Sequence, residues 1–258
     1  MALTAVDYQI FMALRKDGVL PPRPGVLELG EAQWYGDVPA ETLADMIDEL
    51  TRDAELRAQL HTQLAAALRR ESATWSWDLA KVFYRALLDY RRLVAIDLHG
   101  TPAALRIDLN HPVTVKEQFD MLVNSGTGEH VFNVFQFFKT CHEVTRPGGI
   151  MFHSMPFCGW VEHGFYNFNP TFYWDLADAN GYRVVAMIYT ELDPLKLVSL
   201  PDRGKILEMA RGGELGRNSL LYAIFAKGGS ESEFRAPFQA VYSGGLNPEM
   251  SQAWHEVR

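Results

Sequence analysis

Basic charge and cysteine are both scarce in this sequence, and each scarcity removes a class of function. The 258 residues carry 24 Lys and Arg against 32 Asp and Glu, a net charge of −8. An acidic surface repels a phosphate backbone, and no local run of Lys or Arg offers an exception, so nucleic acid is not expected as a partner. The two cysteines, Cys141 and Cys158, do not make a C-x-x-C pair and are too few for a disulfide framework. A reduced, cytoplasmic protein is the simplest reading. No apolar run approaches the ~18–20 residues of a membrane span. Residues 1–7 lack the basic and apolar regions of a signal peptide. Neither H-E-x-x-H nor H-x-x-x-H occurs, so no metal site is expected from linear spacing. There is no internal repeat and no low-complexity tract.

What is present is an alternation of short apolar runs with helical stripes. The apolar runs 26–29, 93–96, 105–107, 119–123 and 150–153 read as strands, and 182–189 and 220–226 follow as later ones. Leu43, Met46, Ile47 and Leu50 recur at helical spacing, as do Leu79, Val82, Phe83 and Ala86, and then Val131, Val134, Phe135 and Phe138. An N-terminal helix is expected around 5–16, ended by Pro21, Pro22, Pro24 and Gly25. Asn169 and Pro170 open a further helix that Asn180 and Gly181 stop. Strands that are apolar throughout, alternating with helices, indicate a parallel sheet covered on both faces, hence an α/β fold. Ligands of such sheets bind beyond the carboxyl ends of the strands. Glu28, Gly30, Asp97, Asp108 and Asn124 all fall at those ends.

The order of these residues resembles the class I S-adenosylmethionine-dependent methyltransferases over roughly residues 24–228. The segment Val26-Leu27-Glu28-Leu29-Gly30 looks like that family's first motif, an acid and a glycine closing the first strand. Val94-Ala95-Ile96-Asp97 looks like the second strand with its ribose-binding acid, and Arg106-Ile107-Asp108-Leu109 like the third, whose acid contacts the adenine amino group. Phe119 to Asn124 looks like the fourth, and Pro147-Gly148-Gly149 like the turn into the fifth. The resemblance implies a three-layer Rossmann-like fold with a mostly parallel seven-stranded sheet, the late strand 220–226 inserting antiparallel. It implies one domain over 1–258: an N-terminal helical region 1–24, a core at about 25–38 and 93–228, and a tail 229–258. Two departures shape the expectation. Ala32 and Trp34 stand where the family's second and third glycines are usual, which brings Gln33, Trp34 or Tyr35 toward the cofactor. Asp97 lies far beyond the roughly 20 residues of a plain βαβ fingerprint, so 39–92 reads as an insertion of about three helices.

The implied cofactor is S-adenosylmethionine, held by Glu28, Gly30, Gln33, Trp34, Tyr35, Asp97, Leu98, Asp108, Leu109, Asn124, Ser125 and Gly126. Its partner is a small-molecule acceptor, methylated on oxygen or nitrogen. A hydroxyl or ammonium acceptor must lose a proton, and a placed base typically contributes about 10²–10⁴-fold. Glu129 and His130 follow the fourth strand and are candidates, with Thr127 beside the acceptor. His153, near the end of the fifth strand, faces either the site or the core. The aromatic-rich stretch 157–169 is too apolar to lie in open water. Trp160, His163, Tyr166 and Asn167 are its candidates for acceptor contact, and His163 is a further candidate base. Cys141 and His142 lie on an apolar stripe and read as core. The insertion, with Trp75 and Trp77, can act as a lid or a homodimer surface. An NAD(P)-dependent oxidoreductase and a non-catalytic partner protein of the same fold are the competing readings.

Overall fold

The computed structural model describes residues 2–114 and 117–256, with side chains through Ala253. Residues 115–116 of the expected core and 257–258 of the expected tail lie outside the described residues. Chain contacts divide the molecule into two units: residues up to 108 together with 119–125, and residues 109–118 together with those from 126 onward.

The first unit is built on three parallel strands. Strand β2 (Gly25–Leu29) is buried along its whole length and lies between β4 (Arg92–Ile96) and β5 (Phe119–Ser125). Its Leu29 pairs with Ile96 on one side and with Asn124 on the other. A short parallel pair, β1 (Ala2–Leu3) with β3 (Gln33–Trp34), joins the start of the chain to the loop after β2. Helix α1 (Ala5–Lys16) begins at a capping box, in which Thr4 accepts from the Asp7 N–H and the Asp7 carboxylate accepts from Thr4. Three helices occupy the stretch between β3 and β4: α2 (Ala40–Leu50), α3 (Ala54–Leu68) and α4 (Trp75–Leu88). Phe83 of α4 is fully buried and meets the rings of Tyr8, Phe11, Trp34 and Tyr84.

The second unit is antiparallel. Its strands β6 (Thr145–Cys158), β9 (Ser219–Ala226), β7 (Arg183–Leu192) and β8 (Leu195–Ser199) hydrogen-bond in that order. The strands are therefore mixed, parallel in the first unit and antiparallel to their neighbours in the second, where β9 is the antiparallel late strand expected from the sequence. Strand β8 is antiparallel to β7 for a local reason: the two are joined by two residues, Asp193 and Pro194, and so short a connection can only join antiparallel neighbours. Helix α5 (Val134–Val144) precedes β6, α6 (Pro170–Asn180) precedes β7, and α7 (Arg203–Arg211) lies between β8 and β9. Two short helices follow, α8 (Ala240–Ser243) and α9 (Pro248–Glu256). No helix among the described residues is long and apolar enough to cross a membrane.

Two expected strands take a different form. Residues 105–107 make only one parallel bridge, Ile96 to Leu105. Leu105 is 41% exposed, and the Arg106 guanidinium turns back to the carbonyls of Asp97, Gly100 and Thr101, so this stretch has no apolar face to bury. Strand β6 begins earlier than expected, at Thr145, and runs through Pro147-Gly148-Gly149. Gly148 adopts φ +75°, which lets its N–H reach the carbonyls of Lys227 and Gly228. The buried Lys227 ammonium donates to the carbonyls of His142 and Thr145 at 2.7 and 2.8 Å, a cation at the carboxyl end of α5.

Phe83→Ala would empty the centre of the first unit's aromatic cluster. The expected loss is about 3–5 kcal/mol of unfolding free energy, measured by urea denaturation; a loss below about 1 kcal/mol would mean that the cluster collapses without cost.

Candidate functional site

In the first unit the strand register sets the geometry. Because Leu29 is level with both Ile96 and Asn124, the residues that follow, Gly30, Asp97 and Ser125, leave three adjacent parallel strands at one height. Gly30 adopts φ +85° and donates its N–H to the Ile96 carbonyl at 2.7 Å, so the chain turns off β2 while still tied to β4.

The Asp97 carboxylate holds the two loops together. One oxygen accepts from the Glu31 N–H at 2.8 Å and the other from the His99 N–H at 2.7 Å. An ionised carboxylate has about four acceptor positions, so each oxygen of this half-buried group keeps capacity for a ligand hydroxyl. Glu31, buried beneath the loop, accepts from the Thr101 N–H at 2.5 Å, the Thr101 hydroxyl at 2.9 Å and the Lys81 ammonium at 2.8 Å. Gly100 is required there, since a Cβ would sit 2.6 Å from a Glu31 oxygen. Glu31, Lys81, Thr101 and Arg106 thus shape this strand-end surface. None was singled out in the sequence, although Lys81 beside the apolar stripe of α4 is a signal that could have marked it.

Glu28 is 1% exposed, and its Oε1 has no hydrogen-bond partner among the described residues. Burial, reinforced by the neighbouring Glu31 carboxylate, pushes its pKa from 4.5 up to about 8. Asn124 and Ser125 are also buried, and the Ser125 hydroxyl donates to Asp7 at 3.3 Å. Of the loop residues, Trp34 packs into the core against Phe83, Gln33 is half-buried within reach of Ser76, and Tyr35 is 68% exposed. Leu98 and Asp108 are exposed. Leu109 and Gly126 fall in the second unit.

The second unit gathers a different set of side chains. Glu129, in a 3-10 turn at Gly128–His130, is fully buried. Its carbonyl accepts from the N–H groups of Phe165 at 2.8 Å and Tyr166 at 3.3 Å, which brings the loop after β6 onto it. That loop is anchored at its start, where the Trp160 indole donates to the Ser219 carbonyl at 2.9 Å. Tyr166 donates to the Phe132 carbonyl and Asn167 to that of Gly159. The result sets His163 Nε2 3.6 Å and His130 Nε2 3.8 Å from Glu129 Oε1. Ligand atoms of these three residues all lie within 4.8 Å of one another. Burial pushes the Glu129 carboxyl up to about 7. Burial, with His163 beside it, holds the His130 pKa below its ordinary value. Thr127 is half-buried at the start of this turn.

His153 stands apart from this group. It is 1% exposed among Phe138, Tyr173 and Phe225, and burial takes its pKa down to about 3. This is the core alternative of the two that its sequence position allowed. His142 is also structural, with its ring nitrogens on the Tyr182 hydroxyl and the Ser232 carbonyl.

No protein-family model and no curated protein matches the sequence. Among solved structures, the chain is similar to the Burkholderia thailandensis 1,6-didemethyltoxoflavin-N1-methyltransferase with bound 1,6-didemethyltoxoflavin and S-adenosylhomocysteine. The identity is 13%, over 87% of this chain and 79% of that one, with a TM-score of 0.38. It is also similar to the O-methyltransferase of a trans-AT PKS multienzyme of Brevibacillus brevis in complex with S-adenosyl-L-homocysteine (12%; 80% and 67%; 0.36). A third is a SAM-dependent methyltransferase from Geobacter sulfurreducens, also in complex with S-adenosyl-L-homocysteine (14%; 85% and 88%; 0.37).

The buried Glu28 carboxyl has a consequence for stability. Between its ordinary value of 4.5 and about 8 the folded chain retains a proton that the unfolded chain has released. Stability from this group therefore falls as pH rises through that interval, by at most about 1.4 kcal/mol per pH unit. Glu129 contributes with the same sign. Glu28→Gln should flatten the fall in urea midpoint between pH 5 and 8; an unchanged slope would mean that Glu28 is ionised in the folded chain.

Proposed function

We propose that this chain is an S-adenosylmethionine-dependent methyltransferase acting on an oxygen or nitrogen of a small polar metabolite or natural product. The observation that carries the reading is the level row of Gly30, Asp97 and Ser125 at the carboxyl ends of three adjacent parallel strands. Glu28, Gly30, Asp97, Asn124 and Ser125 would hold the cofactor. When bound, the cofactor supplies an electrophilic methyl group on a sulfonium. The free acceptor capacity of Asp97 suits the two hydroxyls of a ribose. The glycine turn at Gly30 lets backbone approach a ligand closely.

The charge around this loop favours the same cofactor over a dinucleotide. The carboxylates of Glu31 and Asp97 lie at the strand ends, and the Lys81 ammonium is already paired with Glu31. A pyrophosphate would meet acidic groups there, whereas S-adenosylmethionine brings a sulfonium and an ammonium and no phosphate. As receivers of the proton that a hydroxyl or ammonium acceptor gives up we assign Glu129, His130 and His163, a carboxylate and two imidazoles. The aromatic loop with Trp160, Tyr166 and Asn167 would contact the acceptor. The buried His153 is left out of this assignment.

Calorimetric titration with S-adenosylmethionine and S-adenosylhomocysteine tests the reading. One site per chain is expected, and Asp97→Ala should weaken it by about 1.5–3 kcal/mol for each hydrogen bond lost. Thermal unfolding of the variant separates this effect from loosening of the loop. No binding near millimolar cofactor, or unchanged affinity in the variant, would contradict the assignment.

A further inference from the structure

Glu129 presents an unbalanced electrostatic arrangement. Its side chain is 1% exposed, and neither carboxylate oxygen has a hydrogen-bond partner on another residue among the described residues. Burying such a group with nothing on its oxygens is costly, and a cation is the usual remedy. Two imidazoles stand beside it, His163 Nε2 at 3.6 Å and His130 Nε2 at 3.8 Å from Oε1. Both distances exceed a hydrogen bond. The two rings lie 5.0 Å apart between centroids, and both side chains are nearly half exposed.

From this arrangement we propose that Glu129, His130 and His163 form a three-ligand site for a divalent transition-metal ion, with its remaining coordination positions open. Two imidazole nitrogens and one carboxylate oxygen are a donor set for ions of the zinc and iron class, whereas magnesium and calcium prefer oxygen alone. Metal–ligand bonds near 2.0–2.2 Å put tetrahedral ligand atoms about 3.3–3.5 Å apart. The ligand atoms here all lie within 4.8 Å of one another, so small rotations of the two exposed rings close the site around an ion. The protein has fixed the expensive part already. The Glu129 backbone is pinned by Phe165 and Tyr166, and a Cβ on Gly164 would lie only 3.0 Å from Glu129, so the loop carrying His163 is seated tightly against it. Three protein ligands on a partly exposed rim leave room for water or a substrate oxygen, the pattern of a catalytic rather than a structural ion. An ion there would acidify a bound hydroxyl directly. The proposal stands on the second unit alone and does not depend on the methyl-transfer reading.

The test uses the full chain, stripped with a chelator and dialysed, with no cofactor present. Zn²⁺ is titrated calorimetrically, Co²⁺ is followed by its visible d–d bands, and Mg²⁺ serves as the third probe. One Zn²⁺ per chain is expected, with Co²⁺ bands that Zn²⁺ abolishes and no comparable Mg²⁺ binding. His130→Ala and His163→Ala replace exposed rings, and near-ultraviolet circular dichroism checks that their fold is kept. Each should weaken Zn²⁺ at least about tenfold, and the double variant should lose the site. The absence of stoichiometric Zn²⁺ binding would overturn the proposal. Zn²⁺ binding that persists unchanged in the double variant would overturn it too, since the ion would then sit elsewhere, for example at the exposed His61–Asp48 pair. Preference for Mg²⁺ would overturn the assigned class of ion.

Discussion

The first unit's strand-end surface depends on the Asp97 carboxylate. By accepting from the N–H of Glu31 and the N–H of His99, this side chain ties the loop after β2 to the loop after β4. Charge-assisted bonds to backbone donors are stronger than neutral ones, and here they fix two loops that have little apolar surface of their own. The rest of the assembly leans on that tie. Glu31, once its backbone is held, turns its carboxylate inward to Thr101 and Lys81. Burial, with that charge beside it, raises the pKa of the neighbouring Glu28. Arg106 closes the far side by gathering the carbonyls of Asp97, Gly100 and Thr101. One carboxylate is thus ion-paired, one has its pKa raised by burial, and one retains capacity for a ligand at the level of the strand ends.

The second unit handles a buried carboxylate differently. Glu31 is satisfied by an ammonium and a threonine, whereas the described imidazoles beside Glu129, His163 and His130, stand beyond hydrogen-bonding distance. Positions that violate the usual rule of satisfied buried polar groups mark functional places more often than structural ones. The aromatic loop explains how the arrangement survives. Its backbone bonds to the Glu129 carbonyl, and its Trp160 indole reaches Ser219, so packing and main-chain bonds hold the loop whatever the side-chain charge does.

Much of this was legible in the sequence where the signal was local. The largely apolar run 26–29 ending at Gly30, the acid closing 93–96, and the first and last of the three helices between 39 and 92 follow from periodicity and turn chemistry. The Asn169–Pro170 start and Gly181 stop of α6 were equally readable, and Gly181 takes the left-handed conformation that such a stop needs. What failed to read was set by distant partners. Leu105 has strand propensity but meets only one bridging neighbour. The residues of β8 alternate weakly, because an edge strand with half-exposed Leu195 and Leu197 carries little hydrophobic pattern. Trp34, expected near a ligand, is drawn into the core because β3 pairs with the start of the chain. Glu129 and His130 were visible as an adjacent pair, but their meeting with His163 depends on how the loop after β6 folds, and no linear spacing encodes it.

The central claim is that the strand ends of the first unit bind S-adenosylmethionine through Asp97. A crystal structure of the chain grown with S-adenosylhomocysteine tests it most directly. Both ribose hydroxyls are expected within hydrogen-bond distance of the Asp97 carboxylate, with the Glu31 and His99 N–H bonds retained. A ligand bound elsewhere, or one seated beside Gly30 whose ribose makes no contact with Asp97, would contradict it.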